Sequence, residues 1–232
     1  KATDVSKVIL ITDSEYQVVS IDQSITLPDY VFYPNSDTDK TAVEWTVDDL
    51  NVAEVATTTD ANGKISGTIK AKAAGVAVLK LQVVGKTEVN AAFRLIVRPT
   101  NEPKNCKADA TYNSVSLRWS PVADANGYTI TRKTEGEEKE TVLAHVSGAN
   151  TVSYLDESVQ TGTKYIYHVY AYTQYVDDKG QQQYADTEKF ATVTKTPQLS
   201  QAKLTSVAAE GCNSLTLIWD KVEGADGYVV LR

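Results

Sequence analysis

The chain has 232 residues, 42% of them hydrophobic, with 23 Lys and Arg against 30 Asp and Glu and a formal net charge of −7. This is a globular rather than a disordered composition, and its length allows two domains of about 100 residues and a remainder. The acidic excess is spread along the sequence and no segment is basic, which argues against nucleic acid as a partner and against an anionic-membrane surface.

Helical periodicity is almost absent. Short alternating segments recur instead, broken by Asp, Asn, Gly and Pro about every ten residues, the pattern of an all-β sandwich. In the first hundred residues Val43, Trp45 and Val47 alternate on one face, while Leu79, Leu81 and Val83 share a face opposite Lys80 and Gln82. Phe93, Leu95 and Val97 supply facing core side chains, and Asp60-Ala-Asn-Gly63 reads as a turn. Pro99 and Pro103 then mark a boundary, since proline cannot donate to a ladder and ends a terminal strand. Beyond it Val115, Leu117 and Trp119 fall inward with Ser116 and Arg118 outward, followed by the turn signal Ala125-Asn-Gly127. Tyr165, Tyr167, Val169 and Ala171 alternate inward on a later strand, and Asp177-Asp-Lys-Gly180 reads as its hairpin tip. Pro197 marks a second boundary after the run Ala191 to Thr196. Both linkers are short and neither is Gly/Ser-rich, which favours limited bending between modules over free tumbling.

Residues 113–132 (NSVSLRWSPVADANGYTITR) recur 100 positions later as 213–232 (NSLTLIWDKVEGADGYVVLR), without a gap and with nine of twenty positions identical. A period this long means tandem domains, each large enough for its own core.

The segment 101–197 resembles a fibronectin type III domain. The resemblance rests on Trp119 closing strand B, Gly127-Tyr128 opening strand C, and Val159-Gln-Thr-Gly-Thr-Lys-Tyr165 leading into strand F. It implies that Tyr165 is a corner tyrosine with a buried ring and a hydroxyl bonded to a backbone carbonyl. Segment 198–232 then reads as strands A to C of a second such domain, with Trp219 and Tyr228 in the places of Trp119 and Tyr128. Segment 1–98 looks like a bacterial Ig-like domain of group 2, carried by Pro34, Val43-Glu-Trp45, Asn51-Val-Ala-Glu-Val55, Gly63-Lys-Ile65 and Ala74-Gly75-Val-Ala77. The expected architecture is therefore all-β, tandem Ig-like β-sandwiches, with Trp45, Trp119, Tyr128, Tyr165, Trp219 and Tyr228 in structural core roles. In the incomplete third unit Leu217, Trp219 and Tyr228 are expected to be exposed. Either pairing with a second copy as a homo-oligomer, or truncation of a longer chain, would account for it. The absence of Met is read as that of a piece cut from a longer protein.

Catalytic chemistry has little to work with. His145 and His168 are the only imidazoles, and neither has a Cys, Asp or Glu at metal-ligand or triad-like spacing. His168 is expected to face solvent from strand F. The run Glu135, Glu137, Glu138 and Glu140 reads as a solvated strand-turn-strand, and Asp177-Asp178 as turn chemistry. Cys106 and Cys212 occupy non-equivalent positions and are expected as lone buried or half-buried thiols. No catalytic residue, cofactor or metal is expected. One constellation suits binding: Tyr170 and Tyr172 on the outward face of strand F, with Tyr175 and Tyr184 flanking the hairpin tip. Exposed tyrosines stack on sugar rings or form protein contacts, whereas the plain alternative is cross-strand packing under neighbouring side chains. No run of 18 apolar residues occurs, so membrane insertion is not expected in this segment. The resemblances imply a non-catalytic stalk, spacer or adhesion segment of a larger bacterial cell-surface or secreted protein. The alternatives are a module binding cell-wall or host glycan or protein, and an accessory module flanking a glycan-degrading enzyme.

Overall fold

A computed structural model describes residues 5–34 and 41–231, so Arg232, the last position of the repeat, lies outside the described residues. Every regular element among the described residues is a strand. The first group comprises β1 (Lys7–Ile11), β2 (Tyr16–Ser20), β3 (Ser24–Thr26), β4 (Asp29–Tyr33), β5 (Val43–Val47), β6 (Ala53–Thr59), β7 (Ile65–Ala71), β8 (Gly75–Val83) and β9 (Lys86–Arg98). One sheet has the order β2-β9-β8-β5; facing it are β3-β7-β6 and the ribbon β1-β4. The inward alternation of β8 buries Ala77 and Leu79 with Ile69, Ala71, Phe93 and Leu95, and Leu81 and Val83 with Val8, Tyr30 and Val43. Full burial of each such Leu or Ile stabilises by about 1.5–3 kcal/mol. Trp45 is partly buried and packs where two apolar clusters meet. The turn at Asp60 is held by its carboxylate, which accepts the amides of Asn62 and Lys64 at 2.9 Å.

β2 runs parallel to β9, pairing Tyr16 with Arg94 and Ser20 with Arg98. This register gathers those four side chains at one edge of the first sandwich, and all four recur at the junction described below.

The second group comprises β10 (Lys107–Ala110), β11 (Val115–Arg118), β12 (Gly127–Thr134), β13 (Thr141–Ser147), β14 (Ser153–Asp156), β15 (Tyr165–Val176), β16 (Gln182–Asp186) and β17 (Ala191–Lys195). The sheet β10-β11-β14 faces β13-β12-β15-β16, and β17 pairs with the first half of β15. Between the sheets Val115, Leu117, Trp119, Tyr128, Ile130, Tyr165, Tyr167, Val169 and Ala171 form one buried cluster. Trp119 lies one residue past β11, with its ring 5.2 Å from that of Tyr128. The Tyr128 hydroxyl accepts the Val122 amide at 2.8 Å and donates to the Ala149 carbonyl at 2.7 Å. Tyr165 is buried, but its hydroxyl accepts the Gln160 amide at 3.0 Å instead of reaching a carbonyl. Below the cluster Asp156 ties together Arg132, Ser158 and Tyr167.

In the tail, β18 (Leu204–Ala209) and β19 (Leu215–Trp219) form a two-stranded sheet. Among the described residues the expected third strand from Gly227 does not form. Its counterpart β12 is paired on both sides, by β13 and β15, and among the described residues no such strands flank 227–231. The corner still forms: Tyr228 accepts the Val222 amide at 2.6 Å, and its ring lies 5.3 Å from Trp219. Leu217 and Trp219 are half-buried rather than open, and Tyr228 is exposed. Gly224, at φ +79°, rests on Tyr112, where a Cβ would come within 2.4 Å of the ring. Cys106 is half-buried as expected, but Cys212 is exposed because it lies in the β18–β19 turn.

Candidate functional site

Strand alternation turns the even-numbered side chains of β15 away from the core, yet that outer face is roofed. Phe190, from the break between β16 and β17, lies 4.4 Å from the His168 ring and 4.8 Å from that of Tyr170. Tyr184 of β16 stacks on His145 of β13, with ring centroids 3.8 Å apart and planes 8° apart. Tyr172 lies beneath both rings with no exposed surface, and its hydroxyl donates to the Val146 carbonyl at 3.2 Å. Gly127 makes room for that hydroxyl: a Cβ there would lie 2.4 Å from it and 2.2 Å from the Val146 oxygen.

Two polar clusters fill the rest of the face. His168 Nδ1 lies 2.6 Å from Glu140 Oε1, and the Thr131 hydroxyl donates to the same oxygen. Burial alone would raise the Glu140 carboxyl, but Thr131 and His168 outweigh it and hold the carboxyl below its ordinary range. In the second cluster Thr129 donates to Asp186 Oδ1 at 2.6 Å, and His145 Nδ1 lies 3.0 Å from the same hydroxyl. Thr129 has one proton to give, so His145 must donate from Nδ1, which fixes its tautomer. Burial lowers the His145 pKa despite the nearby Asp186 charge, and burial raises Asp186 despite the Thr129 bond.

The structure thus brings Tyr170, Tyr172 and Tyr184 to one face, but not as an open row. Tyr172 is fully covered, Tyr170 is half-buried beside Phe190, and the ring plane of Tyr184 is occupied by His145. His168, expected in solvent, is buried against Glu140, and that glutamate is correspondingly not a free surface charge. Tyr175 leaves the face altogether: its ring packs 5.2 Å from Tyr16 of the first sandwich. Its hydroxyl is pushed up to about 12 by burial and by its hydrogen bond with Tyr16. Thr129, Thr131 and Asp186 were missed in the sequence. Thr129 and Thr131 alternate with Ile130, a polar pair on the face away from the core, which was the available signal. Among the described residues no group of three His, Cys, Asp or Glu is placed to hold a metal ion.

Tyr175 belongs to a junction between the sandwiches. Pairing of β12 with β15 ends at Gly127–Tyr172, so beyond it β15 and β16 continue as a two-stranded ribbon. This ribbon reaches β2 and β9. Arg94 donates to the Val176 carbonyl and to Asp178 Oδ1 at 2.9 Å, with its guanidinium 5.5 Å from the Tyr16 ring centroid. Asp178 Oδ2 accepts the Ser14 hydroxyl at 3.3 Å and the Glu15 amide at 3.4 Å. Buried Thr173 donates to the Val97 carbonyl at 2.7 Å. From the break between β16 and β17, Glu188 accepts the Ser20 hydroxyl at 3.1 Å and lies 3.7 Å from Arg98. The hairpin tip therefore does more than make a turn. Asp177 holds the turn, accepting the Lys179 and Gln181 amides at 2.9 and 2.8 Å, and Asp178 grips the first sandwich.

Residues 101–185 match the model of the fibronectin type III domain. That span contains the buried Trp119–Tyr128 pair, the Tyr165 corner and most of the ribbon. No curated protein matches the chain. Solved structures similar to it include an Fn3-like protein from Clostridium thermocellum, at 28% identity over 44% of this chain and 98% of that one, with a TM-score of 0.30. A fibronectin type III domain of human collagen alpha-1(XX) has 19% identity over 46% and 93%, with a TM-score of 0.33. A structure of titin domains has 15% identity over 81% and 65%, with a TM-score of 0.37.

Proposed function

We propose that the chain is a non-catalytic spacer segment of a larger bacterial cell-surface or secreted protein, setting both the distance and the orientation of what it joins. The observation that carries this reading is the junction, where Arg94 and Thr173 tie the sandwiches together from opposite sides of the boundary at Pro99. The parallel pairing of β2 with β9 supports an Ig-like reading of residues 1–98; the bacterial exterior is what the group 2 resemblance of that segment implies. The roofed tyrosines favour the spacer over the glycan-binding alternative, because Tyr172 is fully covered, Tyr170 is half-buried beside Phe190 and one face of Tyr184 is taken by His145. An array of cell-wall polysaccharides and extracellular proteins probed with the 232-residue chain is expected to give no saturable signal. Saturable binding that is lost in Tyr170→Ala would replace the spacer with a binding module.

A further inference from the structure

We infer that the junction is a releasable latch: the β15–β16 ribbon holds the first sandwich through charge and hydrogen bonds, and lets go while both cores remain folded. The inference rests on the spacer reading, since fixed orientation matters where joining is the function.

Three features point to it. First, among the described residues the apolar core clusters stop at the boundary: two lie within residues 5–97 and the third within 106–193. Unlatching therefore exposes no shared core. Second, the contacts that do cross are mostly polar and reachable by water. The Arg94 and Asp178 side chains are 24% and 37% exposed, and that of Glu188 is 72% exposed. Third, the charges are complementary. β9 offers Arg94 and Arg98, while the ribbon and the break after it offer Asp178, Asp186 and Glu188. The ribbon is only two strands wide where it overhangs, so it can swing without opening the rest of the five-stranded sheet behind it. Exposed pairs are screened as the Debye length falls from about 30 Å at 0.01 M salt to about 3 Å at 1 M. The single Thr173 bond and the Tyr16–Tyr175 contact are not screened, and without the charged pairs they do not hold one orientation.

The test is residual dipolar couplings of backbone amides on the whole chain, for wild type, Arg94→Ala and Asp178→Asn. At about 0.01 M salt the wild type is expected to need one alignment tensor for both sandwiches. Each variant, and the wild type at about 1 M salt, is expected to need two, with the couplings inside each sandwich still fitting its own fold. A single shared tensor persisting in either variant, or in wild type at about 1 M salt, overturns the latch, as do two tensors in low-salt wild type. The two substitutions act from opposite sides of the junction, so misfolding of one sandwich is visible in its own couplings. Saturable ligand binding would remove the spacer reading while leaving these tensors unchanged, so the two failures are separable.

Discussion

Asp156, only 2% exposed, accepts the Tyr167 hydroxyl at 2.8 Å at the floor of the second core. The same carboxylate takes Arg132 Nη1 at 2.6 Å and the Ser158 amide and hydroxyl at 2.9 and 2.7 Å. Deleting it strands a half-buried guanidinium and a buried phenol. Removing one partner of a buried pair costs about 3–5 kcal/mol. Asp156→Ala is expected to lower the stability of the second sandwich by an amount near that range, measured by urea denaturation. A loss under about 1 kcal/mol would show the pair to be effectively solvated.

The same residue sets an acid limit. Burial would raise its pKa, but the Ser158 hydroxyl and amide, the Tyr167 hydroxyl and Arg132 together hold it below the ordinary 3.8. The unfolded chain then takes up the proton first as pH falls. The stabilisation is present above 3.8 and is lost as pH drops through the folded value. Asp156→Ala should flatten this acid limb of the stability curve.

His145 acts at milder pH. Burial lowers its pKa from 6.5, so the unfolded state binds the proton first and stability falls as pH drops below 6.5. Asp186 has the opposite sign. Burial raises it from 3.8, the folded state binds its proton first, and stability falls as pH rises from 3.8 through the raised value. His145→Gln should remove the first slope and Asp186→Asn the second, read as denaturation midpoints across the pH series. An unchanged slope below 6.5 in His145→Gln would contradict the burial of that imidazole.

Gly127 is a packing requirement. Its missing Cβ would meet a backbone oxygen at 2.2 Å and the Tyr172 hydroxyl at 2.4 Å. Gly127→Ala is expected to cost about 3 kcal/mol, the upper part of the usual overpacking range, by thermal or urea unfolding.

The two corners separate local from tertiary contributions. Tyr128→Phe leaves the Val122 amide and the Ala149 carbonyl without their partner in a closed core, and should cost about 2 kcal/mol. Tyr228→Phe removes the matching bond in the tail. It should leave the main unfolding transition within about 0.5 kcal/mol of wild type, because that corner supports no closed core.

These corners also show what was legible in the sequence. Trp119, Val122 and Tyr128 lie within ten positions of each other, and the same spacing at Trp219, Val222 and Tyr228 rebuilds the same bond. The inward set Tyr165, Tyr167, Val169 and Ala171 was equally plain, since alternation is a local property of a strand. The outer face was not. Whether an even-numbered side chain of β15 meets water depends on His145, Tyr184 and Phe190, which arrive from other strands and from the break between two of them. Strand C of the tail was over-read for a related reason: Gly227 to Leu231 has strand composition, but a strand needs a neighbour to bond. The junction was invisible because Arg94 and Asp178 are 84 positions apart, and neither one looks unusual where it stands.

Small-angle X-ray scattering of the wild-type chain at low salt tests the central claim, that the two sandwiches are held in one fixed arrangement. The account predicts that a single docked arrangement reproduces the whole profile, and that Arg94→Ala increases the maximum dimension. A wild-type profile that can be fitted only by an ensemble of inter-sandwich orientations would contradict it.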